Sequence, residues 1–337
     1  MSKISKKNRI DFFYGKDMSE EFVKNKLNLD PQNGFLKLSK NLARHADVKQ
    51  NQCFICKSKK SKKDCSIFGI DYVICNNCSH VYVKKRLSEK ALSKFYEEET
   101  LHSKVYAENS VIKLRQKIVE DKIDFIRKFT KGKNWLDVGS AEGSSIAVCK
   151  KKGFNAVGIE LNENSRKFAK KKYKINLYPK SLKDFAESNK IKWDVISFFG
   201  VLEHIPDPMN ALKICNSLLT KNGIIAILVP NYNSVSTYVQ KLTKKPSRHL
   251  LPHSHIMLFS EKSLKIAVEK SGFKPHAIWI WGSDSIELLK YMHSMDKNFL
   301  KSQLCKTMIS NINAIQNIFD KEKSGDEMLM IAKKIMV

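Results

Sequence analysis

Short apolar runs alternate with amphipathic stretches along the second half of the chain. The apolar runs predict strands buried on both faces, and apolar residues at three- and four-residue intervals predict helices. The predicted strands cover residues 134–138, 155–160, 175–178, 193–199, 224–230, 274–281 and 327–335. The predicted helices cover residues 142–152, 162–173, 207–220 and 260–271. This alternation predicts an α/β fold with a Rossmann-like, seven-stranded, mostly parallel sheet and helices on both faces.

The pattern differs before residue 111 and after residue 282, and these changes divide the chain into regions. Residues 1–50 are a polar, lysine-rich lead-in, for which irregular structure with limited helix is predicted. Residues 51–86 form a cysteine-containing module, and residues 87–110 form a connector with partly helical spacing. Residues 111–337 form the main domain, which includes a helical insertion at about 283–322.

The net charge adds a question about partners. The 337 residues include 61 Lys or Arg and 34 Asp or Glu, so the formal net charge is +27, which favours anionic ligands. Arginine, which binds phosphates and bases through two parallel bonds, occurs at only seven positions, so nucleic-acid binding is not the favoured interpretation. No apolar run approaches the roughly 20 residues that span a bilayer, and the basic N-terminus lacks a signal-peptide core. A cytoplasmic location is therefore expected.

The turn after the first predicted strand carries the clearest chemical signal. Gly139 and Gly143 allow the backbone to approach a ligand at the carboxyl end of a strand, where open parallel sheets bind ligands. Glu142 within this turn would repel a pyrophosphate, whereas S-adenosylmethionine (SAM) presents a sulfonium and an ammonium. Asp137 ends the strand at a position from which it can meet that ammonium directly or through water.

Glu160 ends the second predicted strand, 21 residues after Gly139. Its carboxylate can accept hydrogen bonds from both hydroxyls of a ribose. The alternative is a simple capping role at the start of the next helix, where acidic residues are common. The strand context favours the ribose role.

These motifs resemble those of class I SAM-dependent methyltransferases over about residues 111–337. The segment 201–208 (VLEHIPDP) is similar to the "LEH" element of one broad subgroup. The resemblance implies cofactor-binding roles for Asp137, Gly139, Ser140, Ala141, Gly143, Glu160, Leu161, Ser181, Leu182, Gly200 and Glu203. In this set the first loop holds the methionine portion, Glu160 the ribose, and the Ser181–Leu182 region the adenine. Ala141 stands where the family often has a second glycine.

Two C-x-x-C pairs define the cysteine module: Cys53, Cys56, Cys75 and Cys78. Each pair forms a tight turn that presents two thiolates, and two turns complete a tetrahedral site whose usual metal is zinc. Four thiolates leave no open position, so a structural role is predicted. A redox role, or ligation by Cys65 or His80, is the less favoured alternative. The module resembles the N-terminal zinc ribbon of bacterial sugar and surface-glycan methyltransferases.

Three histidines are candidates for catalysis on the acceptor side. Methyl transfer requires alignment of nucleophile, methyl group and sulfur, and a general base assists when the nucleophile is a hydroxyl or a carbon acid. His204 follows the fourth predicted strand, and His253 and His255 follow the fifth. A structural hydrogen bond is the alternative for His204, and a positioning role is the alternative for the other two. The basic loop 241–249 is either a phosphate-binding segment or a plain surface loop.

The sequence therefore predicts a SAM-dependent methyltransferase with a structural zinc ribbon. The expected acceptor is a small molecule such as a sugar, nucleotide sugar or glycan precursor, and it can be anionic. An RNA methyltransferase is the second hypothesis, favoured by the net charge but not by the scarcity of arginine. The third is a non-catalytic binding protein that keeps the fold. The methylated atom and the oligomeric state are left open.

Overall fold

A central sheet organises the part of the chain that the structure, a computed structural model, describes: residues 10–20, 22–24, 32–98, 109–244 and 249–335. The strands in this part are β1 (Asp11–Tyr14), β2 (Val48–Lys49), β3 (Ser61–Ile67), β4 (Ile70–Cys75), β5 (Val81–Val83), β6 (Lys85–Arg86), β7 (Asn134–Val138), β8 (Asn155–Ile159), β9 (Trp193–Phe199), β10 (Leu219–Pro230), β11 (Met257–Leu258), β12 (Phe273–Trp281) and β13 (Glu327–Lys334). The α-helices are α1 (Gln32–Ala43), α2 (Glu89–Glu98), α3 (Asn109–Arg127), α4 (Ser144–Lys151), α5 (Glu163–Tyr173), α6 (Leu182–Ser188), α7 (Pro208–Leu218), α8 (Val235–Thr243), α9 (Glu261–Lys270), α10 (Asp284–Met295), α11 (Gln303–Ser310) and α12 (Ile312–Lys321).

The large sheet has seven strands in the order β1-β12-β13-β10-β9-β7-β8. Its pairings are parallel except those of β13, which runs antiparallel to both β10 and β12. Helices connect the parallel strands and cover the sheet. The predicted α/β fold with a seven-stranded, mostly parallel sheet is confirmed.

The identity of one strand differs from the prediction. Residues 175–178 do not join the sheet as a strand; Tyr178 forms only an isolated bridge to Ile159. The preceding Lys174 has a left-handed backbone (φ +59°), which turns the chain out of an extended path. The seventh strand is instead β1, from the lead-in for which irregular structure was predicted. Its Phe13 ring packs edge-on against Phe125 of α3, with centroids 5.1 Å apart.

Alternating side chains along the strands bury two separate cores, one on each face of the sheet. In β10, Ile225 and Ile227 belong to one cluster, whereas Ile224 and Ala226 belong to the other. This is the period-two pattern of a strand covered on both faces.

A smaller sheet joins the cysteine module to the main domain. Its order is β11-β5-β4-β3, and β11 comes from the segment that follows β10. Met257 pairs with Tyr82 and Leu258 with Val81, so the module is completed by a strand of the main domain. The cores are also continuous, because Tyr82 and Leu258 belong to the same buried cluster as Ile225 of β10.

The helical insertion packs around a third core. Helices α10, α11 and α12 follow β12, as the sequence predicts, and enclose a cluster that includes Met18, Ile286, Leu289, Phe299, Cys305 and Ile312. Among the described residues, no helix combines the length and the apolar character needed to cross a bilayer.

Candidate functional site

The loop between β7 and α4 has the tight backbone geometry that its glycines predict. Gly139 and Gly143 have φ values of +69° and +80°, and Ala141 has φ +46°. A Cβ on Gly139 would lie 2.7 Å from Val201 Cγ2, so the backbone at this position has room for glycine only. Ala141 is the one residue of this loop other than glycine that has a left-handed backbone. That conformation is costly for a residue with a side chain unless its surroundings stabilise it.

Glu160, directly after β8, supplies that support. Its Oε2 accepts a hydrogen bond from the Ala141 amide at 2.8 Å, and its Oε1 accepts one from the Asn162 amide at 2.7 Å. The carboxyl is largely buried, and burial raises its pKa. Each carboxylate oxygen has a second lone pair, which leaves Glu160 able to accept from two further hydroxyls. The geometry fits the ribose-binding role and gives Glu160 a second role in holding the loop.

Asp137 lies beneath the loop and ties three elements together. It is buried, its Oδ2 accepts from Ser145 Oγ and its Oδ1 from Ser197 Oγ, both at 2.5 Å, and Ser197 also accepts from Trp135 Nε1 at 2.8 Å. Burial raises the pKa of Asp137 to about 6. Because both oxygens are used by serine hydroxyls of α4 and β9, Asp137 braces the loop. Neither serine was identified from the sequence, since both lie in unremarkable apolar runs.

Among the other predicted cofactor residues, Ser140, Leu161 and Gly200 follow β7, β8 and β9 along the chain, and Ser181 and Leu182 stand at the start of α6. Ser140 donates from its hydroxyl to the Asp137 carbonyl at 3.0 Å, and the Leu161 carbonyl accepts from the Arg166 guanidinium. Ser181 caps α6, where its hydroxyl accepts from the Asp184 amide at 3.2 Å, and Leu182 begins that helix. Gly200 follows β9 with φ +72°.

His204 lies on a short 3-10 helix, Leu202–His204, just after β9. Its Nδ1 is 2.8 Å from the Ser254 carbonyl and 2.9 Å from the Tyr96 hydroxyl. A carbonyl can only accept, so the first contact places a proton on Nδ1 and makes Nε2 the basic atom of the neutral ring. Tyr96 and Ser254 were not predicted as site residues, because each is distant from His204 in the sequence.

His255 lies beside His204, with ring centroids 4.9 Å apart. Its Nδ1 donates to the His249 carbonyl at 2.9 Å, and its own carbonyl accepts from the Tyr72 hydroxyl at 3.0 Å. Burial, together with the neighbouring histidines, lowers the pKa of His255 well below its ordinary value. The ring is therefore neutral near pH 7, with its lone pair on Nε2.

His253 is placed differently from the other two histidines. Its side chain is buried, its Nδ1 lies 2.8 Å from Ser39 Oγ of α1, and its ring packs edge-on against Phe95 of α2 at 5.4 Å. The structure thus brings His204 and His255 together and uses His253 in packing between helices. In the basic loop, residues 245–248 lie outside the described part of the chain, and Lys241 contacts Asp64 at 3.2 Å.

The two C-x-x-C pairs form turns of matching geometry. Lys57 and Ser79, each directly after the second cysteine of a pair, both have φ +60° and both donate to the carbonyl of the first cysteine at 3.0 Å. The four sulfur atoms of Cys53, Cys56, Cys75 and Cys78 lie within 4.8 Å of one another, and all are free thiols. His80 packs on Phe259 instead. The donor set fits a tetrahedral thiolate metal site.

Comparison with known proteins agrees with this geometry. Residues 111–278 match the model of a family described as a methyltransferase domain. These residues are thus similar to methyltransferase domains. The matched methyltransferase region includes β7 to β9, both glycines of the loop, Glu160, and the three histidines.

Curated relatives of the methyltransferase domain include ubiquinone biosynthesis O-methyltransferases. The protein from Hydrogenovibrio crunogenus is 25% identical over 161 residues, which cover 45% of this chain and 67% of that protein. The protein from Actinobacillus pleuropneumoniae is 28% identical over 116 residues, which cover 31% and 50%. The chain thus spans between half and about two thirds of the length of these relatives.

Solved structures similar to the chain include magnesium protoporphyrin IX methyltransferase from Synechocystis PCC 6803. That structure has a TM-score of 0.48 and 12% identity, over 73% of this chain and 100% of that one. A SAM-dependent methyltransferase from Archaeoglobus fulgidus has a TM-score of 0.46 and 21% identity, over 65% and 94%.

Proposed function

We propose that this protein transfers the methyl group of SAM to a hydroxyl of a small molecule, which is a sugar, nucleotide sugar or glycan precursor. The observation that carries the proposal is the loop from Gly139 to Gly143 fastened to Glu160, at the carboxyl ends of parallel strands. The names of the O-methyltransferase relatives support oxygen as the methylated atom. The resemblance of the cysteine module to that of glycan methyltransferases supports the acceptor class.

The cofactor roles follow from the positions of the residues. The backbone at Gly139, Ser140, Ala141 and Gly143 surrounds the methionine portion, and Asp137 holds this loop from below. Glu160 and Leu161 bind the ribose side, and Ser181 and Leu182 border the adenine. Gly200 and Glu203 lie near the methionine end and the acceptor. Bound SAM supplies the methyl group, and the chain's task is to orient it and to exclude water.

The acceptor side is formed by His204 and His255. Their Nε2 atoms are the basic atoms of the two rings, and His204 is the first candidate for the group that takes the proton from the acceptor hydroxyl. His253 supports this side through its packing between α1 and α2. Zinc at the four cysteines has a structural role, since it fixes the module that pairs with β11.

The cofactor is tested by calorimetric titration of the zinc-loaded protein with SAM and with S-adenosylhomocysteine. We expect micromolar binding of both, weakened at least about tenfold by Glu160→Ala, because two bonds to a charged acceptor are lost. Glu163→Ala is the matched control, since Glu163 is an exposed carboxylate three residues away and should bind normally. Absence of binding by the unchanged protein would contradict the proposal.

The acceptor class is tested separately with labelled SAM. The protein is incubated with a panel of nucleotide sugars and, in parallel, with unmodified RNA. Label in a sugar fraction is expected. Label in RNA alone, with steep salt dependence, would instead support the RNA hypothesis.

A further inference from the structure

Glu203, His204 and His255 form a second cluster of metal-ligating atoms, separate from the four cysteines. One ligand atom from each residue lies within 4.8 Å of the other two. Glu203 Oε1 is 3.9 Å from His204 Nε2, and the two imidazole rings have centroids 4.9 Å apart. Two neighbouring nitrogens and a carboxylate are a familiar donor set for divalent transition metals.

The hydrogen bonds of the two imidazoles point their lone pairs into this cluster. Each ring donates its Nδ1 proton to a backbone carbonyl, His204 to Ser254 and His255 to His249. This second bond fixes the tautomer, orients the ring and makes Nε2 a better ligand, as it does for histidines that bind metals. The bonds therefore prepare two nitrogen ligands rather than one isolated base.

Glu203 provides an independent observation. Its side chain is buried, with 1% of the residue exposed, and its Oε2 has no hydrogen-bond partner within the described chain. A buried carboxylate without a partner is costly unless it is neutral or faces a positive charge. The charged side chain that acts on it from the sheet is Glu327, which is also negative. Three acceptor groups thus converge, and the charge that would balance Glu203 is a cation.

We propose that Glu203, His204 and His255 bind one divalent transition-metal ion. Ligand atoms about 2.1 Å from an ion would require only small rotations of these side chains. The histidines are partly exposed whereas Glu203 is not, so the open side of the ion faces the region where the acceptor enters. In this arrangement His204 is a ligand, which takes the place of its role as a base.

Within the proposed function, the ion would bind the acceptor through the oxygen that is methylated. Open positions on such an ion bind an oxygen and lower the pKa of a bound hydroxyl, so that its proton passes to solvent. Methyl transfer then joins the methyl carbon to that oxygen and converts the sulfonium to a thioether. This role rests on the proposed function, but binding of the ion does not, and the two can be tested separately.

The test titrates the full-length, zinc-loaded protein with Co²⁺ and records heat, visible absorption and released zinc. We expect one added Co²⁺ per chain with micromolar affinity, a spectrum without thiolate charge transfer, and no loss of zinc. Glu203→Gln should weaken this binding at least about tenfold, since it removes a ligand charge. His255→Asn should do the same, and its amide can keep the bond to the His249 carbonyl. His276→Asn, in β12, is the control and should bind Co²⁺ normally.

The outcomes separate the two proposals. Titration with S-adenosylhomocysteine on the same samples reports whether each variant is folded and whether the cofactor site is intact. If the protein binds S-adenosylhomocysteine but takes up no Co²⁺ beyond its zinc, the metal site is overturned and the proposed function stands. Equal Co²⁺ affinity in all variants, or release of zinc in step with Co²⁺ uptake, would also overturn it. Co²⁺ binding without cofactor binding would support the metal site and contradict the proposed function.

Discussion

The cofactor loop depends on a residue outside its own motif. Gly158 lies in β8, and its Cα faces Ser140 of the loop and Leu177 of the following segment. A Cβ at this position would overlap Ser140 Oγ and would lie 2.7 Å from Leu177 Cδ2. Ser140 is held in place by its bond to the Asp137 carbonyl, so it cannot move without disturbing the loop. Close approach, and not backbone conformation, is what requires glycine here.

Gly158→Ala should therefore weaken the binding of S-adenosylhomocysteine at least about tenfold. Overpacking of this kind costs about 1–3 kcal/mol, and here the displaced atoms are those of the cofactor loop. Titration calorimetry measures the effect. Asn155→Ala, on the exposed start of the same strand, should leave the affinity unchanged. Equal affinity of the Gly158 variant and the unchanged protein would show that the loop does not contact the ligand.

At the scale of residues, the sequence predicts best those features that one short segment forms, and the cofactor roles of the loop and of Glu160 stay predictions. The glycines of the loop and Glu160 could be assigned because strand ends place them at one edge of a parallel sheet. The partners of His204 could not, because Tyr96 lies 108 residues before it and Ser254 lies 50 residues after it. Such contacts depend on how whole elements pack, which local patterns do not encode.

At the scale of elements, the cysteine module and the acceptor side share a sheet. Strand β5 of the module pairs with β11, and the Val83 amide donates to the Ile256 carbonyl at 3.0 Å. Tyr72 of β4 adds the hydrogen bond to His255. The cofactor loop lies on different strands, β7 and β8. The structure therefore predicts that the module controls the position of His255 and leaves the cofactor loop unaffected.

Removal of the zinc ion proposed at the four cysteines, with a chelator, should accordingly alter the acceptor side and leave the cofactor loop unchanged. Small thiolate metal sites supply much of the folding energy of their modules, so β5 should separate from β11. We expect hydrogen exchange to increase in peptides covering residues 249–259 and to stay slow in β7 and β8. Affinity for S-adenosylhomocysteine should persist. Unchanged exchange at residues 249–259, or loss of protection throughout the sheet, would contradict this division.

The packing of elements also explains why the prediction of a strand at residues 175–178 is wrong. Residues 175–178 have an apolar pattern that suits a strand, but Lys174 turns the chain just before them and leaves a single bridge. Strand β1 is short and contains a cluster of aromatics within a polar lead-in. It lies at the sheet edge because it pairs with β12 and packs against α3, and both elements are remote from it in the sequence. The fold class could be predicted from periodicity, whereas the membership of an edge strand could not.

At the scale of the whole molecule, the helical insertion is joined to the sheet through buried carboxyls. Asp284, Asp320 and Asp326 are fully buried, and Gln316 donates to Asp284 Oδ2 at 3.1 Å and to Asp320 Oδ1 at 2.8 Å. Burial, and then the charge of Asp326, raises the pKa of Asp284 to about 8 and that of Asp320 to about 7. These groups connect α10 and α12 to the end of the central sheet, so their ionisation affects the stability of the whole fold.

A pKa above the unfolded value means that the folded state binds the proton more tightly than the unfolded state does. The stabilising contribution of Asp320 is therefore complete below about pH 4 and is lost as the pH rises toward its folded pKa of about 7. The loss is at most about 1.4 kcal/mol for each pH unit between the two values. Asp320→Asn keeps the oxygen that accepts from Gln316 but cannot ionise. The difference in the free energy of unfolding in urea between this variant and the unchanged protein should grow in favour of the variant from pH 5 to pH 7 and level off above pH 7. Asp296→Asn, which replaces an exposed carboxylate after α10, is the control, and its free energy of unfolding should change with pH as that of the unchanged protein does. A pH-independent difference for Asp320→Asn would show that this carboxyl does not titrate in the fold.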